Sequence, residues 1–298
     1  MSIEVDTDLI ATLTNGEFEE EACSADTHSI YPLTECLWAG RSEFCEIVIA
    51  RSTVYGNMLF LDKEIQSAEY DEAIYHEHLI HPVMAANTTR NKRVLIVGGG
   101  EGATAREVLK WGPAYVSQVA WVDIDRGLVD LCRHHLRWAN DGVYNDPRMQ
   151  YYSEDIRAFF ITDDTKYDII VLDLPDPDVD SLIIDRPVGG GYELYSREFF
   201  DEVRSHLADG GSVVSHCGPI RPGRAGQPGL AWVQNRANEA GICTDGGWPY
   251  HVCIPSFQGD WGFWMSTPHN ANPVFPTNLR VMDSVCQSVA FTWPAYWH

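Results

Sequence analysis

The chain opens on an acidic, weakly patterned stretch and turns strand-like only after residue 28. Between Ile30 and Gln66, Phe44, Ile47 and Ile49 alternate partly with polar neighbours. Arg51 to Asn57 reads as a turn, and Met58-Leu59-Phe60-Leu61 as the strand that returns from it. This predicts a loosely ordered N-terminal arm over 1–28 and a small antiparallel β-hairpin domain over 29–70. Asp71 to Met84 is predicted to be a helix, with acids in its first turn and Ile74, His78 and His81 near one stripe.

From Lys92 the pattern changes to alternating strands and helices. Arg93 to Val97 is a continuous apolar run, as expected of a strand covered on both faces. Val119–Val122, Met149–Tyr152, Tyr167–Leu172 and Ser212–Ser215 read as further strands, each separated from the last by a helical or loop segment. His251–Ile254 and Trp261–Trp264 read as late antiparallel additions. Residues 71–298 are therefore expected to form a Rossmann-type, doubly wound, mostly parallel α/β sheet, class I methyltransferase-like, behind the small antiparallel β domain.

Composition narrows the partners. The 298 residues carry 43 acidic against 21 basic side chains, a formal charge of -22. Such a balance argues against nucleic acid and against an anionic membrane surface, and it suits a cationic small molecule. No apolar run is long enough to span a bilayer, and Met1 to Asp26 lacks the basic-then-apolar order of a signal peptide. A cytoplasmic protein is expected, and its 8 cysteines, none in a C-x-x-C pair, read as free thiols rather than a metal site.

The chemistry-bearing residues gather at predicted strand ends. Gly98-Gly99-Gly100-Glu101-Gly102 lies between the first buried strand and a helix, where glycines permit a tight turn and close approach of a ligand. Asp123 follows about 20 residues later, the spacing at which a carboxylate meets ribose hydroxyls. Asp155 closes the third strand and is a candidate for an adenine amino group. For either acid alone the alternative is a helix cap. A nicotinamide dinucleotide is the competing ligand, but Glu101 sets a negative charge where its pyrophosphate would sit. Asp173 and Asp176 stand three apart after the fourth strand, where one can take a proton from an attacking amine. Tyr75, Tyr250, Trp261 and Phe263 are candidate walls of an amine channel, with core packing as the alternative.

As an ordered set these motifs resemble the spermidine/spermine synthase family. The carrying residues are Leu61-Asp62, Gln66, Asp71-Glu72, Tyr75-His76-Glu77, His81, the Gly98 to Gly102 run with Arg106-Glu107-Val108, Asp123-Ile124-Asp125, Asp146-Pro147-Arg148, Asp173 to Pro177, and Leu194-Tyr195 with Phe199-Phe200. Glu101, Gln66 to Glu69, Tyr75-His76-Glu77 and Pro255-Ser256-Phe257 look most like its thermospermine synthase branch. The resemblance implies decarboxylated S-adenosylmethionine as co-substrate, no metal, a small-molecule amine or polyamine as acceptor, methylthioadenosine as by-product, and a homodimer or homotetramer. It implies that Glu101 faces the donor's amine, Asp123 the ribose and Asp155 with Ile156 the adenine, with Gln66 and His81 on the donor more generally. It makes Asp173 the base, assisted by Asp176 and Tyr75, and sets Tyr75, His76 and Asp176 on the polyamine, with His216 near it. The sequence departs from the family at Cys45, where a glutamine is usual, at His216, again for glutamine, at Ile156, and in a longer loop from Asp178 to Tyr192.

Three functional readings follow. The first is aminopropyl transfer from decarboxylated S-adenosylmethionine to an amine. The second is an N-methyltransferase, or other alkyltransferase of the same fold, that uses intact S-adenosylmethionine; Glu101 disfavours it by opposing the extra carboxylate. The third is a polyamine-binding protein without catalysis, against which both Asp173 and Asp176 remain.

Overall fold

A computed structural model describes residues 3–20, 29–177, 192–220 and 228–293. The loop noted above lies, over 178–191, outside the described residues.

The front of the chain is more ordered than its charge suggests. Strand β1 (Glu4–Val5), helix α1 (Thr7–Leu13) and strand β2 (Glu17–Glu20) all fall within the arm expected to be loose. Asp6 caps α1 by accepting from the N–H groups of Asp8 and Leu9, and Leu13 and Phe18 bury themselves against Tyr31, Met58 and Phe60. Few but well-placed apolar residues thus outweigh the acidic surface around them. Strands β3 (Ser29–Pro32), β4 (Glu35–Arg41), β5 (Glu46–Ser52), β6 (Gly56–Leu61) and β7 (Glu64–Ala68) follow. An antiparallel sheet runs in the order β1-β4-β5-β6-β7, while β2 pairs with β3. The antiparallel unit therefore begins upstream of residue 29, the expected boundary.

Helix α2 (Glu72–Ala86) joins this unit to the second one. The predicted single stripe is corrected, because the helix is buried on nearly every side, histidines and glutamates included. Pro82 lies inside it and has no N–H for the His78 carbonyl. The Tyr250 hydroxyl donates to that carbonyl instead, at 2.9 Å.

The second unit alternates strands and helices. They are β8 (Lys92–Gly98), α3 (Ala103–Leu109), β9 (Val116–Val122), α4 (Arg126–His135), β10 (Met149–Tyr152), α5 (Ile156–Thr162), β11 (Tyr167–Asp173), α6 (Arg197–Ser205), β12 (Leu207–Ile220), α7 (Pro228–Glu239), β13 (Trp248–Ile254), β14 (Gly259–Met265) and α8 (Ser284–Ala290). The sheet order is β10-β9-β8-β11-β12-β14-β13. Its first five strands are parallel, β14 is antiparallel to β12, and β13 is antiparallel to β14. Val94 to Val97 and Ile169 to Leu172 are almost wholly buried, which is why both read as unbroken apolar runs. The strand order reverses between β8 and β11, and the crevice beyond their carboxyl ends is the place where such sheets bind ligands.

Replacing Tyr250 by Phe leaves the buried His78 carbonyl without a donor. The expected cost is about 1–3 kcal/mol in urea unfolding, with acceptor KM unchanged. A changed acceptor KM at full stability would return Tyr250 to the substrate wall.

Candidate active site

Asp173 ends β11 directly opposite Gly98 of β8. The Gly99 N–H donates to the Asp173 carbonyl at 2.8 Å. Gly98 and Gly99 both hold positive φ, 82° and 71°. A Cβ on Gly98 would meet the Asp173 carbonyl at 2.1 Å, and one on Gly99 would meet Asp173 Oδ2 at 2.7 Å. Glycine is thus required twice over, by conformation and by space. The Asp173 carboxylate accepts from Tyr75 Oη at 2.8 Å and from Thr104 Oγ1 at 2.5 Å. Burial, then the Asp173 charge, keeps the Tyr75 phenol protonated and hence a donor.

Asp123 stands at the end of β9, buried, with Oδ1 accepting from the Asp125 N–H at 2.8 Å. It does not cap α4; Asp125 does, through the Leu128 N–H. The other oxygen of Asp125 accepts from Ser42 Oγ at 2.5 Å, which ties the front sheet to this loop. Burial above all, with Asp125, Glu101 and Asp173 adding repulsion against the Asp125 N–H, pushes Asp123 up to about 7. Neither Asp123 nor Asp173 has an ion-pair partner among the described residues. Glu101 is also buried, and its Oε1 lies 3.0 Å from His76 Nε2. The other nitrogen of His76 lies 2.9 Å from Glu72 Oε2. Burial opposes a charge on this ring, but the two carboxylates outweigh it and raise His76 to about 10. His76 is therefore an imidazolium clamped between acids.

On the far side of Asp173, Tyr195 Oη donates to the Pro175 carbonyl at 3.0 Å and holds the turn that carries Asp176. His216 Nε2 donates to the Leu174 carbonyl. Its Nδ1 lies 3.5 Å from Asp176 Oδ1. The His216 ring stacks on Trp261 at 6.5 Å, and Tyr75 packs against His216, Phe257 and Phe263. Gly218, at φ 77°, brings its Cα side to 3.4 Å of Asp176 Oδ2 as measured from an added Cβ.

The structure thus gathers Gly98, Gly99, Gly100, Glu101, Asp123, Asp173 and Tyr75 at one crevice, with Asp176, His216 and Trp261 beside it. Other expectations are corrected. His76 has both nitrogens engaged by carboxylates, which leaves neither for a polyamine. His81 is fully buried between Glu107 (2.9 Å) and the Trp111 N–H (2.9 Å), which leaves it no nitrogen for a donor molecule. Tyr250 serves the core as described. Asp155 caps α5 and pairs with Arg157 at 2.6 Å, the outcome held open for it above. Ile156 packs into the core with Leu95 and Phe159. The Gln66 amide, half-buried, donates to the Glu64 carbonyl. Cys45 sits 3.8 Å from Asp125 Oδ2, and burial pushes its thiol up to about 12. The sequence reading missed Thr104 and Ser42, and it quoted Asp125 only within the Asp123-Ile124-Asp125 motif without a role. The first-turn position of Thr104 after Gly102 was the available signal. Among the described residues no group of three or more histidine, cysteine or acidic side chains is placed to hold a metal. An open groove of about 750 Å³, lined by Pro273, Val285 and Val289 among others, shares no residue with this crevice.

Glycines and acids at the carboxyl ends of the strands stand where doubly wound sheets bind their ligands. Residues 72–275 match the spermine/spermidine synthase domain, and residues 19–69 the spermidine synthase tetramerisation domain. The chain belongs to the spermidine/spermine synthase family. It is 37% identical over 251 residues to polyamine aminopropyltransferase 2 of Pseudomonas aeruginosa, covering 80% of this chain and 66% of that protein. It is 40% identical over 202 residues to the polyamine aminopropyltransferase of Pyrobaculum calidifontis, covering 66% of each. The chain thus spans about two thirds of the length of these relatives. A spermidine synthase crystallised with the transition-state analogue AdoDATO shares the fold, with a TM-score of 0.80 at 20% identity over 99% of this chain and 95% of that one. The Thermotoga maritima spermidine synthase does so at 0.77 and 18%, over 99% and 94%.

The raised Asp123 has a consequence for stability. In the folded chain it keeps its proton up to about pH 7, against about 4 when unfolded. The folded state binds the extra proton, so stability from this group is full below pH 4 and lost as pH rises through 7. Asp123→Asn should remove that fall, at most about 4 kcal/mol, and should also abolish nucleoside binding. Denaturant titrations of the ligand-free protein at pH 5 and pH 8 measure it; an unchanged difference between the two pH values would contradict the assignment.

Proposed function

We propose that this chain transfers the aminopropyl group of decarboxylated S-adenosylmethionine to an amine or polyamine, releasing methylthioadenosine. The observation that carries this reading is the group of buried carboxylates, Glu101, Asp123 and Asp173, of which the last two have no ion-pair partner among the described residues. Like charges so placed call for a cation, and a nucleoside with a sulfonium and an ammonium supplies two. The relatives named polyamine aminopropyltransferase support the same reading.

The donor's sulfonium makes its neighbouring carbon electrophilic, and the enzyme's residues do the rest. Asp123 meets the ribose hydroxyls. Glu101, fixed by His76, pairs with the donor's ammonium. Asp155 is the candidate for the adenine amino group, which requires it to release Arg157. Asp176 and His216 hold the acceptor beside Asp173, and Tyr75 and Thr104 orient the Asp173 carboxylate. Asp173 takes the proton from the acceptor ammonium, so the nucleophile enters neutral; as its nitrogen bonds the carbon, the carbon–sulfur bond breaks and methylthioadenosine leaves. Positioning and water exclusion by Tyr75, Phe257 and Phe263 supply the remaining acceleration. The thermospermine-like motifs point to a polyamine acceptor longer than a diamine. The match of residues 19–69 to a tetramerisation domain supports an oligomer. No helix among the described residues is long and apolar enough to cross a membrane. N-methyl transfer from intact S-adenosylmethionine is the second reading, disfavoured by Glu101.

Asp173→Asn keeps the shape and removes the proton acceptor. Turnover should fall by about 10²–10⁴-fold while nucleoside affinity changes little. Activity within a few-fold of wild type would remove Asp173 from the role of base. His216→Gln should shift preference across a panel of di-, tri- and tetra-amines, since it exchanges a ring nitrogen facing Asp176 for an amide. An unchanged ranking would place His216 outside acceptor choice.

A further inference from the structure

Past residue 275, where the match to the synthase domain ends, the chain turns back onto helix α2. The backbone N–H groups of Arg280, Val281 and Met282 all donate to the Glu77 carboxylate, at 2.7, 2.8 and 2.7 Å. This strap presents the Arg280 side chain to Glu72, with Nη1 2.8 Å from Oε1. The Glu72 side chain is fully buried. Its other oxygen, Oε2, accepts from Arg106 Nη2 at 2.7 Å and faces His76 Nδ1 at 2.9 Å. From His76 the contacts continue to Glu101 Oε1 at 3.0 Å. An unbroken series of charged contacts thus joins the C-terminal segment to the crevice.

The geometry gives each member a task. A carboxylate turns readily about its last torsion, so a single partner does not fix which oxygen faces where. Arg280 on Oε1, with Arg106 and His76 on Oε2, fixes the Glu72 carboxylate in one orientation. The Glu72 carboxylate holds the His76 ring together with the Glu72 backbone carbonyl, which also lies 2.9 Å from Nδ1, and the ring occupies one oxygen of Glu101 and leaves the other for a ligand. The groups facing His76 are Glu72 and Tyr75 from its own helix, Glu101 from the glycine loop, Arg106 from α3 acting through Glu72, and Asp173 from β11 acting through Tyr75. Glu72 is held below the usual carboxylate range because His76 and Arg106 outweigh its burial.

We propose that Arg280 and Glu72 are positioning residues for the donor's ammonium group, and that strap 280–282 orients Glu101 through His76. The proposal rests on the reading of Glu101 as the donor-ammonium contact. Two ligands separate it from a merely structural role. Decarboxylated S-adenosylmethionine carries the ammonium; methylthioadenosine keeps the adenosine and the sulfur and lacks it.

Calorimetric titration of both ligands into the full chain is the test. Arg280 is half-exposed, so Arg280→Ala should leave the fold intact. It should weaken decarboxylated S-adenosylmethionine about five- to tenfold, the size of one loosened charge contact, and leave methylthioadenosine within about twofold. Arg280→Lys should restore most of the loss. Glu72→Gln takes one carboxylate from His76, so the ring should lose its proton at lower pH. Relative to wild type, affinity for the decarboxylated donor should then fall between pH 7 and pH 9 in this variant. Equal weakening of both ligands in Arg280→Ala, or of neither, overturns the proposal, as does a Glu72→Gln pH profile that overlays wild type. If wild type itself shows no preference for the decarboxylated donor over methylthioadenosine, it is the reading of Glu101 that fails.

Discussion

Everything in this protein is arranged around carboxylates that converge where strands β8, β9 and β11 end. Glu101, Asp123 and Asp173 come from three separate strand ends and meet in a largely dry crevice. Ionising all of them at once is costly, and Asp123 registers the cost by holding its proton to near neutral pH. A fold tolerates such repulsion when a bound cation relieves it. Acids placed so close together favour a cationic ligand, as the proposed donor requires.

The surroundings both concentrate and ration this charge. Gly98 and Gly99 let Asp173 approach as no other residue type would. Tyr75 and Thr104 donate to Asp173 without neutralising it. His76 is the exception, an internal cation that lies 3.0 Å from Glu101 Oε1. The front sheet contributes through Ser42, whose hydroxyl pins Asp125, whose N–H in turn orients Asp123. The antiparallel unit is therefore coupled to the Asp123 carboxylate as well as to the fold.

Much of this was legible in the sequence, for identifiable reasons. Strands β8 and β11 are covered on both faces, so their apolar runs are unambiguous. Acids at successive strand ends marked the candidate site, and the ordered motifs named the family. What stayed hidden depended on partners distant in sequence. His76, His81 and Tyr250 look like polar or aromatic site residues in a linear reading. Each is instead consumed by the interior: His76 by Glu72 and Glu101, His81 by Glu107 and Trp111, and Tyr250 by the carbonyl that Pro82 orphans. The ordered N-terminal arm was missed because its net charge hides the few side chains, Leu13 and Phe18 among them, that bury it.

The central claim is that the acidic crevice selects a cationic, decarboxylated donor. The most direct measurement offers decarboxylated and intact S-adenosylmethionine in equal amounts, together with a pool of amines, and follows the products by mass spectrometry. The account predicts that one amine gains an aminopropyl unit and that methylthioadenosine accumulates. Gain of a methyl or aminocarboxypropyl unit from the intact donor would contradict it.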